Sequence, residues 1–300
     1  MGTLIFYDDA VAAKRNRWLV ISVLVVAIGA FLAISIIPIF AGWGDRPGAA
    51  SAPGSTPEAT DPQAELEARA RGYELVLERE PDNQTAIIGL VETRIQLGDL
   101  QGVLEPLKKL AELNPSVPEY QILLGQTHQS LGNLDEAAQT YRAVLTQQPG
   151  NMKALQGLVA LLLEQDRPQA AVGLLQDALQ SAPQQNEVTP GAVDVVSVRL
   201  LLAEVYVTQE RFDDAIQLYD EAIANNTEDF RPLLAKALVL RDMGRTGEAS
   251  RIFQQAGELA PPQYKDQVRQ LAAGLDTAPA EGASTPDEDG GSASEDESAE

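Results

Sequence analysis

The sequence contains no cysteine and a single histidine, His128. A chain without cysteine forms no disulfide bond, and with one histidine it lacks the usual ligand sets of a zinc site. It also lacks a phosphate-binding glycine loop followed by Lys and Ser or Thr, and a G-x-S-x-G nucleophile elbow. We therefore expect a protein that is not an enzyme, with no catalytic, metal-binding or cofactor-binding residues.

Basic residues are scarce, with 22 Lys and Arg against 44 Asp and Glu, so the net charge is −22. Nucleic acid is a poor partner for such a surface because phosphate contacts need Lys and Arg. Residues 276–300 carry nine acidic residues and no basic one. Because it has almost nothing to bury, the segment 275–300 is predicted to be a disordered acidic tail. The tail could serve solubility, bind a basic partner or fold back onto basic residues of this chain.

Proline recurs at a fixed interval. Pro81, Pro115, Pro149 and Pro183 are spaced by 34 residues, and Pro261 follows at a distance that fits two further repeats and one ten-residue insertion. Three other sets of positions share this spacing and the same insertion. The small residues are Ala137, Ala171, Ala215 and Ala249. The bulky residues are Tyr73, Leu107, Tyr141, Leu175, Tyr219 and Phe253. The turn residues are Gly98, Gly132, Asp166, Glu210 and Gly244.

Each repeat is predicted to be two helices joined by a tight turn. In residues 118–151, apolar residues at helical spacing precede Gly132, which tolerates the positive φ of a helix end. Asn133 and Glu136 have the spacing of a helix N-cap with its reciprocal partner. A second apolar series follows, and Pro149 ends it. Neither helix can bury its apolar face alone, so consecutive repeats must stack.

The pattern of Leu124-Gly125, Gly132, Ala137, Tyr141 and Pro149 resembles the tetratricopeptide repeat (TPR) family. The resemblance covers residues 64–274. It implies an all-α fold, a right-handed TPR α-solenoid, that binds a protein or peptide partner in a concave groove. We expect five full repeats, at 84–117, 118–151, 152–185, 196–229 and 230–263.

Two further helices are predicted beside the repeats, at about 62–80 and at 264–274, the second closing the stack. The insertion falls near 186–195. Thr189-Pro190 is typical of a helix N-cap and first helical residue, which favours lengthening of the next helix to about 190–208; a hinge is the alternative.

His128 occupies a place on the first helix where this family usually packs an aromatic residue against a neighbouring helix. We expect His128 to be a packing or partly exposed residue. The equivalent positions hold Arg94, Leu162, Tyr206 and Leu240.

The resemblance also selects the residues that would line the groove, since first helices form its wall in this family. The candidates are Ile88, Glu92, Ile122, Gln126, Gln129, Gln156, Ala160, Leu163, Leu200, Glu204, Leu234, Leu238 and Arg241. The Lys and Asn clamp with which one TPR subset holds a terminal carboxylate is missing, so an apolar segment with some basic character fits better. Alternatively, several of these side chains only complete packing between repeats.

Residues 18–40 form an uncharged run of 23 residues. As a helix it would measure about 35 Å, enough to cross a bilayer core of about 30 Å. Trp18 and Trp43 flank the run, as interfacial anchors do. We expect an uncleaved transmembrane anchor; a cleaved signal peptide and a buried soluble helix are the alternatives.

The predicted topology follows from the basic residues beside this run. Lys14, Arg15 and Arg17 precede it and only Arg46 closely follows it, which favours a cytoplasmic N-terminus (1–17) and extracytoplasmic repeats, in a periplasm or lumen. Residues 41–63 are rich in Pro, Gly, Ser and Ala and are predicted to be a flexible linker.

Together these features predict a membrane-tethered scaffold that binds client polypeptides. Its domain order resembles that of anchored TPR proteins that attend the protein translocon or help to build photosynthetic complexes. This implies a role in assembly or biogenesis of a membrane or exported protein complex. The alternatives are an oligomerising structural adaptor and a regulatory subunit of a membrane enzyme complex.

Overall fold

The computed structural model describes residues 61–273, and within that range the chain forms α-helices and no strand. The helices are α1 (Pro62–Arg79), α2 (Gln84–Gln96), α3 (Leu100–Leu113), α4 (Pro118–Ser130), α5 (Leu134–Gln147), α6 (Met152–Glu164), α7 (Pro168–Val188), α8 (Val195–Thr208), α9 (Phe212–Asn225), α10 (Phe230–Asp242), α11 (Thr246–Leu259) and α12 (Pro262–Ala273). The predicted all-α class is confirmed for these residues. The expected flanking helices correspond to α1 and α12.

Short polar side chains fix where many of the helices begin. The Asn83 side chain accepts a hydrogen bond from the Ala86 amide, and Asn151 accepts one from the Ala154 amide in the same way. Asp61, Asp99, Asp194 and Asp229 cap α1, α3, α8 and α10 similarly. These side chains satisfy amides that have no partner within the first turn of a helix.

The turn within each repeat has the same backbone conformation. The turn residues predicted from the 34-residue spacing all have positive φ, between 54° and 77°: Gly98, Gly132, Asp166, Glu210 and Gly244. This left-handed conformation reverses the chain within three residues, and glycine adopts it without a steric penalty. The prediction of these five turns is confirmed.

The repeated small and bulky residues form the cores of the hairpins. The small positions are Val103, Ala137, Ala171, Ala215 and Ala249, and their side chains are fully buried. The bulky residues one helical turn later, Leu107, Tyr141, Leu175, Tyr219 and Phe253, are also buried. A small residue lets the two helices approach, and the bulky one fills the space beside it.

The described residues divide into two compact units, 61–171 and 172–273. In the first unit, each of the helices α1 to α6 packs against the next one along the chain, and the first helices α4 and α6 also contact each other. In the second unit, each of the helices α8 to α12 packs against the next, and α8 also contacts α10. The first helices α4 and α6 therefore lie side by side in the first unit, and α8 and α10 do so in the second.

The prediction for the ten-residue insertion is wrong. The insertion lengthens the preceding helix, so α7 runs to Val188, Pro183 lies inside it rather than ending it, and α8 begins only at Val195. The predicted repeat boundary at residue 185 and the predicted helix 190–208 therefore do not match the structure. The turn that follows is held by Val193, whose side chain is buried and whose amide and carbonyl both bond to the Asn186 side chain. Residues 189–194 thus fold back against the end of α7.

A smaller correction concerns the start of α5. Asn133 occupies the N-cap position, but its side chain makes no capping hydrogen bond. Instead, its amide nitrogen lies 3.5 Å from Nδ1 of His128. The expected reciprocal partnership with Glu136 is therefore absent.

The predicted anchor (18–40), linker (41–63) and acidic tail (275–300) lie outside residues 61–273, apart from residues 61–63, where α1 begins. Among the helices of the described residues, none combines the length and the apolar character needed to cross a membrane.

Candidate peptide-binding face

The predicted groove residues lie on the first helices of the repeats and form two sets, one in each unit. The unit 1 face comprises Ile88, Glu92, Ile122, Gln126, Gln129, Gln156, Ala160 and Leu163. The unit 2 face comprises Leu200, Glu204, Leu234, Leu238 and Arg241. On each helix the residues are three or four positions apart, so they share one side of it.

The two faces expose their members to different degrees. Gln126 and Ala160 are exposed, whereas Ile122 is only 3% exposed and contributes to packing. The other members of both faces are partly exposed. Leu234 and Leu238 also pack on a buried cluster around Phe253, so the apolar side chains of unit 2 serve the core and the surface together.

Gln129 is held in place by its neighbours in unit 1. Its side-chain amide donates to Glu164 at the end of α6 (3.2 Å), and its oxygen accepts a hydrogen bond from the Tyr141 hydroxyl (3.4 Å). These contacts join α4, α5 and α6. Gln129 therefore orders the unit 1 face rather than offering a free amide to a partner.

Tyr141 sets the spacing between α4 and α6. A Cβ built on Gly125 would lie 2.8 Å from the ring, and one built on Gly157 would lie 2.5 Å from it. Such distances are shorter than any ordinary contact, so the ring occupies space left free by both glycines. Burial raises the pKa of the Tyr141 phenol to about 12, so it stays protonated and can donate to Gln129.

Glu204 is the main charged group of the unit 2 face. It lies on α8 between Leu200 and Val207, and burial raises the pKa of its carboxyl to about 7. Burial also raises the pKa of Tyr219 on α9, and the nearby Glu204 carboxylate raises it further. Within residues 61–273, no hydrogen bond or ion pair holds the Glu204 carboxylate.

Glu92 occupies the same repeat position in α2 as Glu204 does in α8. Burial raises the pKa of Glu92 as well. By contrast, Arg241 of the unit 2 face pairs with Asp242 at 3.1 Å. Each face therefore combines apolar side chains with a partly buried carboxylate, and the unit 1 face also carries three glutamines.

Comparisons with known proteins agree with this arrangement. Two models, each described as a tetratricopeptide repeat, match residues 129–189 and 200–264. The chain contains tetratricopeptide repeats.

Two curated proteins show the extent of the likeness. The TPR repeat-containing protein YpiA of Bacillus subtilis (strain 168) is 26% identical over 66% of this chain and 44% of its own length. SLOW GREEN 1, a chloroplastic protein of Arabidopsis thaliana, is 26% identical over 23% of this chain and 22% of its own. The chain thus spans less than half the length of either protein.

Among solved structures, the chain is similar to TTC0263, a thermophilic TPR protein of Thermus thermophilus. The sequences are 22% identical and the TM-score is 0.41. The similarity covers 64% of this chain and 98% of that one.

His128 behaves as a structural residue of the second tetratricopeptide repeat. Its side chain is partly exposed, its carbonyl accepts the Asn133 amide at 2.9 Å, and its ring lies beside the Asn133 side chain. The expectation of a packing or partly exposed histidine is confirmed. Its equivalent in the first repeat, Arg94, forms an ion pair with Glu74 of α1 at 2.5 Å.

Sequence reasoning missed two residues of these faces, Ile95 and Val207. Ile95 and Val207 are equivalent in the repeat to Gln129, Leu163 and Arg241, which were predicted to line the groove. Ile95 is 40% exposed and Val207 is partly exposed. The 34-residue spacing of the repeats, together with the ten-residue insertion, would have identified both residues from the sequence.

Proposed function

We propose that this protein is a non-catalytic scaffold, tethered to a membrane through residues 18–40, whose repeats bind client polypeptides. The observation that carries the proposal is the partly exposed apolar surface on the first helices, with Ile88 and Leu163 in unit 1 and Leu200 in unit 2. Packing leaves these side chains incompletely covered, so an apolar segment of a client that covers them would gain hydrophobic free energy.

The chemistry of the described residues favours binding. Within residues 61–273, no group of three or more His, Asp or Glu residues is placed to hold a metal ion. The partly buried carboxylates Glu92 and Glu204 lie on separate units. We therefore assign the two faces to recognition of another polypeptide.

A membrane tether makes weak binding sufficient. A flexible linker such as 41–63 would confine the repeats to the neighbourhood of the bilayer and raise their concentration for clients there. The process that we propose is assembly or biogenesis of a membrane or exported protein complex.

Photocrosslinking in intact membranes tests this function. We would place a photoreactive residue at Gln126 or Ala160, which are the exposed members of the unit 1 face, in the full-length protein. The matched control is Gln139, which is exposed on the second helix α5. We expect discrete polypeptide adducts from the face positions and none from Gln139. Equal adducts from all three positions would contradict binding on this face.

A structural adaptor that self-associates is the second candidate. It is favoured by the surface of α1, where Leu75 is 59% exposed and Val76 is 39% exposed. A concentration-dependent increase in mass that Leu75→Glu abolishes, measured by sedimentation without any client, would support the adaptor.

A further inference from the structure

Glu204 differs from the other acidic residues around it because no hydrogen bond or ion pair within residues 61–273 neutralises it. It lies in a partly exposed row with Leu200 and Val207 on α8. The neighbouring helix α10 adds Leu234 and Leu238 to the same unit 2 face. A carboxylate in such surroundings loses hydration without gaining a partner, which is unfavourable for its charged form.

The basic residues that could neutralise it are already paired. Arg199, on the same helix, lies 3.8 Å from Glu221. On α10, Lys236 lies 2.5 Å from Asp220, and Arg241 lies 3.1 Å from Asp242. Arg231 completes the set, since it pairs with Asp229 at 2.7 Å. Every Lys and Arg of α8 and α10 therefore contacts a carboxylate other than Glu204.

Helix α9, which packs against α8, supplies no free positive charge from the described residues either. Tyr219 of α9 is the group whose titration responds to Glu204, and it is neutral. Arg211, which precedes α9, pairs with Asp214 at 2.8 Å and lies over the Tyr206 ring. Within the part of the chain that the structure describes, the Glu204 carboxylate therefore lacks a neutralising partner and lies beside the leucines of the unit 2 face.

We propose that Glu204 is the specificity-determining residue of the unit 2 face and pairs with a Lys or Arg side chain of an otherwise apolar client segment. This inference rests on the proposed function and names the client's chemistry. The apolar part of the segment would cover Leu200, Leu234 and Leu238. The Lys or Arg side chain of the segment would form an ion pair with the Glu204 carboxylate. Removal of water from this ion pair on binding would strengthen it.

The position recurs in the first repeat, where Glu92 also lacks a hydrogen bond or ion pair among residues 61–273. The second, third and fifth repeats have Gln126, Ala160 and Leu238 there. A carboxylate is therefore not needed to build the helix or the stack at this position, which separates its role from folding.

Synthetic peptides test the inference. The probe is three pools of 12-residue peptides, randomised among Leu, Ile, Ala, Gln and Ser, with one central residue fixed as Lys, Gln or Glu. Binding is measured to the full-length protein in phosphatidylcholine nanodiscs, with empty nanodiscs as the blank. We expect the Lys pool to bind about tenfold more tightly than the Gln pool, and the Glu pool to bind least.

Two variants assign this preference to one residue. Glu204→Gln keeps the shape of the protonated side chain and should make the Lys and Gln pools bind equally. Glu228→Gln, at an exposed position between α9 and α10, should keep the wild-type preference. Equal circular dichroism spectra of the three proteins would show that the change is not one of folding.

The possible results distinguish the role of Glu204 from peptide binding by the repeats. Binding of the pools without a Lys preference, or a preference that survives Glu204→Gln, would overturn the role of Glu204 and leave peptide binding intact. Failure of every pool to bind the wild type and Glu228→Gln would overturn peptide binding itself, and this inference with it.

Discussion

The ring of Tyr141 occupies the space next to Gly157, on the first helix of the following repeat. A Cβ on Gly157 would lie 2.5 Å from Cζ of Tyr141. The tyrosine is fully buried, and interiors of proteins are close-packed, so its ring can move little to accommodate an added methyl group. This contact joins two repeats of unit 1 and holds the helices of its face close together.

The first prediction follows from that contact. Gly157→Ala should lower the free energy of unfolding by about 1–3 kcal/mol, because overpacking outweighs alanine's better helix propensity. Chemical denaturation followed by circular dichroism measures this. The matched control is Gly173→Ala in α7, where an added Cβ meets nothing within 4 Å. It should leave stability unchanged or raise it by up to about 1 kcal/mol, and equal losses in both variants would refute the steric argument.

The second prediction concerns the turn at Asp166, which has φ of 54° although it is not glycine. Asp166→Gly should raise the free energy of unfolding by about 0.5–1 kcal/mol, because glycine adopts this conformation without strain. Gly132→Ala, at φ of 77°, should lower it by a similar amount. Thermal melts of the two variants should therefore shift in opposite directions, and a shared direction would contradict the prediction.

The third prediction is a pH dependence of stability caused by Glu204. Its pKa is about 7 in the folded protein and near 4.5 in the unfolded chain. The Glu204 carboxyl thus binds a proton more tightly in the folded state than in the unfolded chain. The stability that this proton contributes is fully present below about pH 4.5 and is lost as the pH rises through 7. Glu204→Gln should be more stable than wild type at pH 8, by on the order of 2 kcal/mol, and nearly equal to it at pH 4.5.

Urea denaturation at several pH values would measure this difference. Glu228→Gln serves again as the control, because the Glu228 side chain is exposed. A constant difference between wild type and Glu204→Gln from pH 4.5 to 8 would show that burial does not perturb this carboxyl.

The fourth prediction concerns the turn after α7. The Asn186 side chain donates to the Val193 carbonyl (3.0 Å) and accepts from the Val193 amide (2.9 Å). Asn186→Ala should lower the free energy of unfolding by about 1–3 kcal/mol, because it leaves both backbone groups without this partner. The Val193 amide should then exchange with deuterium much faster. Gln184→Ala, two residues earlier and exposed, should change neither quantity.

The fifth prediction concerns the membrane anchor at residues 18–40. The protein should stay in the membrane fraction after an alkaline carbonate wash, since an uncleaved apolar helix is released only by detergent. A reporter fused after Gly44 should be active only on the side opposite the cytoplasm. Release by carbonate would favour a cleaved signal peptide, and cytoplasmic reporter activity would reverse the topology.

Features that depend on neighbouring residues in the chain were predictable. The turn positions Gly98 and Asp166 followed from spacing alone, because the chain must reverse at the same point of every repeat. The buried Ala137 and Phe253 followed from the same periodicity. The candidate faces followed as sets of positions, although Ile122 proved to be buried.

Features that depend on distant contacts were not predictable. Pro183 suggested a helix end because proline lacks an amide hydrogen, yet α7 continues through it to Val188. Beyond the end of α7, the Asn186 side chain bonds to both backbone groups of Val193, seven residues away, and this contact was not predicted either. Likewise, the ion pair of Arg94 joins it to Glu74 of another helix, and no spacing rule specifies that partner.

The sequence by itself determined the repeat, its turns and the class of residue inside each hairpin, because helix periodicity and the conformational freedom of glycine act over a few residues. Only the tertiary structure decided where the insertion goes and which charges are neutralised. The first depends on a contact between α7 and the turn after it, and the second on which side chains meet across helices. The free energy of such contacts is set by burial and distance rather than by a pattern of residue types along the chain.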